Sequence, residues 1–333
     1  MNNKSRGQII LLLLALLFIL VAPTFLKNQY HIHILTMVFV NIIIASGLRL
    51  IMTTGLVSFC HAAFVAIGGY ASALTVMRLG LSSWVGLIVA VAVTVVIAVA
   101  FGLILLRLKG TYFFIATTAF GEIILLIFTR WADPFGGAAG LTNIPLPSAL
   151  AIPGLFSIQF GSKVSFYYLA LAIMLVIMLI AYRLDKGRMG AIWTGIHQAD
   201  LLAQSVGINI MLYKVIAFAV GCSMAAVAGA FQAHYYSHIN PGGFGFFTLV
   251  NYLIYVMIGG SQRLMGPVLG AALLTLFSEF LSLYETLAIY QTIVFGIVLI
   301  LVILFLPQGI ISLPSKISFW YQQLQERSNE RRD

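Results

Sequence analysis

Residues 83–106 read SWVGLIVAVAVTVVIAVAFGLILL, without one charged side chain. At ~1.5 Å per residue the run makes a helix about 36 Å long, enough to cross a ~30 Å hydrocarbon layer. Similar runs lie at about 8–26, 33–52, 56–77, 111–129, 165–182, 212–233, 246–259, 267–285 and 287–306. The expected fold is an all-α polytopic membrane protein of about ten transmembrane helices. The run at 56–77 is rich in Gly, Ser and His, and 246–259 is short for a full crossing. Broken or re-entrant segments are expected there, where irregular backbone can be shielded by protein.

The composition of the whole chain agrees. Of 333 residues, 61% are hydrophobic and 8% charged, which excludes a soluble globular domain. The net charge of +9 does not indicate nucleic acid, because the basic residues sit in the gaps between apolar runs. Cys60 and Cys222 lie in apolar surroundings, with no disulfide framework or metal spacing, and read as packing residues. Lys4 and Arg6 before IILLLLALLFILVAP resemble a signal peptide. The apolar run continues through Phe25 and Leu26 with no small-x-small cleavage site, so it reads as a retained first span.

With the N-terminus in the cytoplasm, Lys4, Arg6, Arg49, Arg107, Lys109, Arg183, Lys186, Arg188, Lys214, Arg263, Lys316, Arg327, Arg331 and Arg332 face inward. Only Lys27, Arg78, Arg130 and Lys163 face outward. Fourteen of eighteen basic residues inside supports this orientation and an even number of spans. Residues 130–164 then form an outer loop dominated by Gly and Pro, residues 183–211 an inner loop, and residues 316–333 a polar cytoplasmic tail.

The inner loop reads RLDKGRMGAIWTGIHQADLLAQSVGIN over 183–209, a soluble-looking piece in an apolar chain. Gly187 and Gly190 interrupt the helix leaving the membrane. From Ala191, residues Ile192, Ile196, Ala199, Ala203 and Val206 recur at helical spacing as one stripe. Thr194, His197, Gln198 and Gln204 lie mostly off it, and Gly207 suits a left-handed stop. A helix lying in the lipid interface also buries one face, but it usually displays Lys or Arg. None occurs from Ala191 to Asn209, which favours docking on another protein.

Several polar residues fall inside spans. Glu122 lies about eleven residues after Thr111, ~16 Å into its helix, where a carboxylate is costly and should face protein or water. It reads either as lining a path or switching between helices, or as a structural carboxylate bonded to neighbouring hydroxyls such as those of Thr117 and Thr118, or to groups on another helix. His61 and Ser58, one turn apart and so expected on a shared helical face, either line an aqueous route or satisfy their hydrogen bonds between packed helices, and Asn41 has the same two readings. Arg49 reads as snorkelling to lipid phosphates. Gly266 and Gly270 form a G-x-x-x-G suited to close helix packing. Gly136, Gly137 and Gly140 are either outer-loop docking residues or turn residues. His234 and His238, near an outer helix end, read as solvated.

No G-x-x-x-x-G-K-[ST], H-E-x-x-H or catalytic cluster is present in the sequence, so the chain is expected to be no enzyme and to need no cofactor or metal.

The stretch GRMGAIWTGIHQADLLAQSVGINIMLYKVIAFAVGCSMAAVAGAF (187–231) resembles the inner loop and following span of ABC importer permeases for branched-chain amino acids, the LivH/LivM group, and its M-type members most. That group carries G-R-x-x-x-A-I-R-x-x-E-x-A-A-x-x-x-G-I-N. Gly187, Arg188, Ala191, Ile192, Ala203, Gly207, Ile208 and Asn209 match it; Asp200 stands for the glutamate, His197 for an arginine and Leu202 for an alanine. TGLVSFCHAAFVAIGGYAS (54–72), RLKGTYFFIATTAFGEI (107–123), FGGAAGLTNIP (135–145), INPGGFGF (239–246), IGGSQRLMGPVLGAALL (258–274) and FLPQGI (305–310) are similar to further segments in the same order. Cys60 replaces a usual glycine and Leu56 a common glutamine.

The resemblance implies a single transmembrane permease domain over 1–333 in a bacterial inner membrane, with both termini cytoplasmic. It implies ATPase coupling through Gly187, Arg188, Ala191, Ile192, Ile196, Asp200, Ala203 and Gly207. It implies a second homologous permease, two ATP-binding subunits and an extracytoplasmic solute-binding protein as partners, and a branched-chain amino acid, urea or a short amide as cargo. An ion-coupled secondary transporter is the alternative, since it would also use Glu122 and broken helices. An intramembrane enzyme has no motif here.

Overall fold

A computed structural model describes residues 17, 19–26, 28–152, 156–158, 160–283, 290–305 and 309–312. The expected tail 316–333, most of the expected first span, and Lys4, Arg6 and Lys27 lie outside the described residues. The helices are α1 (Gln29–Met52), α2 (His61–Leu79), α3 (Ser83–Leu105), α4 (Thr111–Arg130), α5 (Lys163–Lys186), α6 (Arg188–Gln198), α7 (Asp200–Ser205), α8 (Ile210–Tyr236), α9 (Phe246–Gly259), α10 (Met265–Ser282) and α11 (Gln291–Phe305). A one-turn helix also spans Ala132–Phe135. Eight segments among the described residues are long and apolar enough to cross a membrane, counting Pro241–Gly259 as one. The expected count of ten is not reached among them: α11 has 15 residues, and the run at 8–26 is described only at its end.

Burial sorts the helices into a centre and a rim. The most apolar 18-residue window of α1 is 83% buried, against 22% for α3. In α3 only Ser83, Gly86, Ala90, Thr94, Ala98, Gly102 and Leu105 are buried, at spacings of three and four. The small residues thus form the stripe that meets α2 and α8, and the large aliphatics of the opening stretch face outward. This is the inverse of a soluble helix, because lipid solvates Leu and Val while close van der Waals packing needs small side chains.

Glycine sets the closest crossings at the centre. A Cβ on Gly229 of α8 would overlap the carbonyl oxygen of Val65 in α2, and one on Gly68 would overlap the backbone of Ala226. Gly47 of α1 and Gly221 of α8 face each other's carbonyls in the same way. Gly259, Gly266 and Gly270 bring α9 against α10, so the G-x-x-x-G packs inside this chain.

Both segments flagged as irregular are irregular. α2 begins at His61, after turns and extended chain over 53–60. α9 begins at Phe246, after a 3-10 turn at Pro241–Phe244. The described residues of 130–164 are folded onto the bundle. Strand β1 (Leu141–Thr142) pairs antiparallel with β4 (His238–Ile239), Leu141 opposite Ile239, while β2 (Leu150–Ile152) pairs with β3 (Phe156–Ile158). Ser148 accepts from the Ser83 amide at 3.3 Å, and the Trp84 indole donates to the Ser148 carbonyl at 3.1 Å. Arg78 pairs with Asp133 at the same end.

Candidate functional site: an inner lever and a mid-depth cleft

The segment 183–211 contains two short helices, α6 and α7, separated by a break. At Gly187 the backbone N–H bonds back to Arg183 and closes α5. A Cβ on Gly190 would overlap the Asp185 carbonyl, so this glycine permits the sharp return into α6. Trp193 is fully buried, and its indole N–H donates to the Tyr213 carbonyl at 3.0 Å. Ile196 is buried beside it. The helix then breaks at Ala199, whose φ of −157° and ψ of 87° are far from helical.

Beyond that break, α7 is tied down by Lys214 Nζ, which donates to Asp200 Oδ2 at 3.1 Å. It closes with Ile208 N–H bonding to Ala203 O and Gly207 N–H to Gln204 O, with Gly207 at φ +83°. These two bonds form the Schellman stop that glycine favours. The single helix expected over Ala191–Val206 is therefore corrected. Ile196 and Ala203 of its stripe are buried, but Ala199 is exposed and Val206 is 70% exposed, because the break turns α7 relative to α6. The large side chains left outward on α7 are Leu201 at 80% and Leu202 at 67%.

Of the expected coupling residues, Gly187, Arg188, Ala191 and Gly207 are exposed and Ile192 is half-buried. Ile196 and Ala203 are buried and Asp200 is ion-paired with Lys214, so these three face the bundle. Leu201 was missed. Its signal was the adjacent Leu201–Leu202 pair, since successive residues on a helix cannot share one stripe.

Near mid-depth, the irregular entries of α2 and α9 converge on α4. The Phe59 amide lies 3.4 Å from Thr117 Oγ1. A Cβ on Gly121 would lie 3.5 Å from Phe59 O and Cys60 Cα, an ordinary contact, so α4 passes directly over the start of α2. A narrow cleft there is lined by Ala62, Ala63, Thr118, Glu122, Gly245 and Phe246, among others. Neither N-cap, Cys60 nor Gly245, caps its helix by a side-chain hydrogen bond. First-turn amides with positive dipole character therefore open near an acidic side chain.

Glu122 is exposed on α4 and has no ion-pair partner among the described residues. The structural reading through threonine fails: Thr117 and Thr118 donate to Phe113 and Phe114 carbonyls. An ionisable group at this depth is costly against hydrocarbon, so this face of α4 has to meet protein or water.

The other path candidates are not on this cleft. Ser58 precedes α2 rather than sharing a helical face with His61, and both are fully buried. Ser58 Oγ lies 3.2 Å from Cys60 Sγ, and His61 Nε2 lies 3.1 Å from the Ile44 carbonyl. Neither lines an aqueous route in this conformation. Asn41 Nδ2 donates to Thr275 Oγ1 at 2.9 Å and joins α1 to α10.

Arg49 does not snorkel. It is buried, pairs with Asp185 at 2.6 Å, and donates to the Ser261 and Gln262 carbonyls. His234 is not solvated: it is buried with Nε2 2.9 Å from Ser72 Oγ and Nδ1 2.7 Å from the Pro145 carbonyl. His238 sits half-buried in β4, 3.1 Å from Asn240 Nδ2. Gly136, Gly137 and Gly140 all have positive φ, and a Cβ on Gly140 would overlap the Ile239 carbonyl. They form the turn that seats β1 on β4. Cys60 and Cys222 are buried free thiols.

Comparison with known proteins gives the family. Residues 30–303 match the family described as branched-chain amino acid transport system / permease component, and the chain belongs to that family. It is 28% identical over 319 residues to the high-affinity branched-chain amino acid transport system permease protein LivM of Salmonella typhimurium, covering 90% of this chain and 74% of that one. It is 27% identical to LivM of Escherichia coli over the same shares. LivH of Salmonella typhimurium is 26% identical over 278 residues, 78% of this chain and 87% of its own. No solved structure matches. The chain is thus a multi-pass membrane permease component of an importer, related to transport subunits rather than enzymes, and an ion-coupled carrier is not favoured.

Proposed function

From membership of this permease family we infer that the chain is one of two homologous permeases in an ATP-driven importer of the bacterial inner membrane. Two ATP-binding subunits dock on the α6–α7 side, an extracytoplasmic solute-binding protein docks on the 130–164 side, and both termini are cytoplasmic. The cargo is a branched-chain amino acid or a related small polar solute. Residues 1–333 act as a single permease domain, with 183–211 as the coupling loop.

The observation that carries this reading is the construction of the lever. Trp193, Ile196 and the Asp200–Lys214 pair fix α6 and α7 to the bundle, while Leu201, Leu202 and Val206 stand exposed beyond them. An exposed aliphatic tip without Lys or Arg is poorly suited to a lipid headgroup layer and well suited to a groove on a protein. Because its root is rigid, movement of the tip is passed to the ends of α5 and α8.

The path is assigned to the open face of α4 at Glu122, between this permease and its partner. Glu122 offers an acceptor for an ammonium group. The uncapped starts of α2 and α9 offer donors for a carboxylate. That pairing of charges suits a zwitterion. Gly136, Gly137 and Gly140 shape the surface offered to the binding protein rather than contact cargo.

The test is reconstitution with the candidate partner subunits in liposomes loaded with ATP. Uptake of radiolabelled leucine, isoleucine or valine is expected only with ATP and binding protein present. ATP-independent uptake that collapses with an uncoupler would overturn the assignment.

A further inference from the structure

A cavity of about 740 Å³ lies between the ends of α1, α5, α6 and α10, behind the lever and away from Glu122. Its wall is basic. Lys186 and Arg263 are exposed on it, and neither forms an ion pair among the described residues. Asp185 is the one acid among its lining residues, and its charge is already met by Arg49. Counting Arg49, Lys186 and Arg263 against Asp185, the wall carries two uncompensated positive charges.

Arg49 is built to face a ligand. Three of its side-chain nitrogens are held by Ser261 O, Asp185 Oδ2 and Gln262 O. A guanidinium has five N–H donors, so two remain on a buried, immobilised group that borders the cavity. His197 adds a polar group from the inner face of α6, while the Thr194 hydroxyl on the same wall donates to the Gly190 carbonyl at 2.8 Å and has no proton left to offer. The remaining N–H groups of the held Arg49, beside the excess positive charge of Lys186 and Arg263, match the oxygens of a phosphate.

The depth of the cavity narrows the source of that phosphate. Tyr182, half exposed just before the last turn of α5, marks the level where interfacial aromatics sit. Leu264, Met265 and Ile311 line an apolar margin beside the charges. We propose that this cavity binds a phosphate group, supplied by the headgroup of an anionic phospholipid. The site is distinct from the cargo path and does not depend on which solute is carried. Its occupant joins α1, α5 and α10 to the inner face of α6 and so braces the lever.

The experiment uses the purified full chain after delipidation in detergent, with thermal melting and native mass spectrometry as readouts. Phosphatidylglycerol is expected to raise the melting temperature and to remain bound, while phosphatidylcholine does neither. K186Q/R263Q changes exposed, unpaired groups and is expected to weaken phosphatidylglycerol binding about tenfold or more. R107Q/K109Q, which removes two basic residues elsewhere, is expected to keep it. Stabilisation by inorganic phosphate alone, lost in K186Q/R263Q, would support the phosphate site and assign it to a free anion. The proposal is overturned if neither probe binds, if the two lipids bind equally, or if both double variants lose binding alike. Transport assays are not needed for this outcome, so its failure leaves the permease assignment untouched.

Discussion

Arg49 Nη1 lies 2.6 Å from Asp185 Oδ2, joining the last turn of α1 to the last turn of α5 across 136 positions of sequence. The arginine side chain is 5% exposed and the aspartate 17%. Two carbonyls of the α9–α10 connection complete the cluster. The root of the lever is therefore an electrostatic knot holding three connections together.

Breaking one partner of such a pair leaves the other charge buried and uncompensated, at a cost of ~3 kcal/mol or more. D185N is expected to lower the melting temperature of the purified protein by several degrees, and R49M/D185L is expected to recover part of the loss. An unchanged melting temperature for D185N would show that the pair contributes nothing net.

The lever tip should be separable from its root. L201E/L202E alters two exposed side chains with no buried role. Membrane insertion and melting temperature are expected to stay normal while co-purification of the ATP-binding subunits falls at least tenfold. W193A should do the opposite first: loss of a fully buried indole and its hydrogen bond costs ~3–5 kcal/mol and unfolds the loop. Normal ATPase capture by L201E/L202E would move the contact elsewhere.

Glu122 has no ion-pair partner among the described residues, so E122Q is expected to leave abundance and melting unchanged. Solute uptake by the reconstituted complex should fall at least tenfold. Wild-type uptake by E122Q would remove the carboxylate from the path.

Two glycine substitutions should have opposite signs. G229L drives a side chain into the Val65 carbonyl and separates α8 from α2, so strong loss of folded protein is expected. Gly195 has nothing within 4 Å of an added Cβ and lies inside α6. G195A is expected to stabilise by ~0.5–1 kcal/mol, read as a higher melting temperature. Equal tolerance of both would contradict the helix crossing described here.

Some of the site was legible without coordinates. The interruption at Gly187, the stop at Gly207 and the close packing of Gly266 and Gly270 rest on local geometry and stand where the chain placed them, whereas Gly190 lies inside α6, which starts at Arg188 rather than Ala191. The break at Ala199 had no comparable signal. Neither Pro nor Gly marks it, and it is accompanied by a contact from Asp200 to Lys214, fourteen residues away. Polar residues within spans were the least legible. Arg49, Asn41, His61 and His234 each take partners from a distant helix or loop.

Apolar run length and glycine spacing by themselves determined a helical multi-span membrane protein with one long polar interruption at 183–211, because bilayer thickness and backbone hydrogen bonding leave few other solutions; the permease reading came from the family resemblance. Only the tertiary structure decided which polar groups are consumed inside the bundle and which stay open. Arg49 and His234 are tied down, while Glu122, Lys186 and Arg263 remain available, as do the aliphatic tips of α7. The reason is that a buried polar group is satisfied by whichever backbone or side chain packing brings within ~3 Å, and that neighbour is set by helix crossings far apart in sequence.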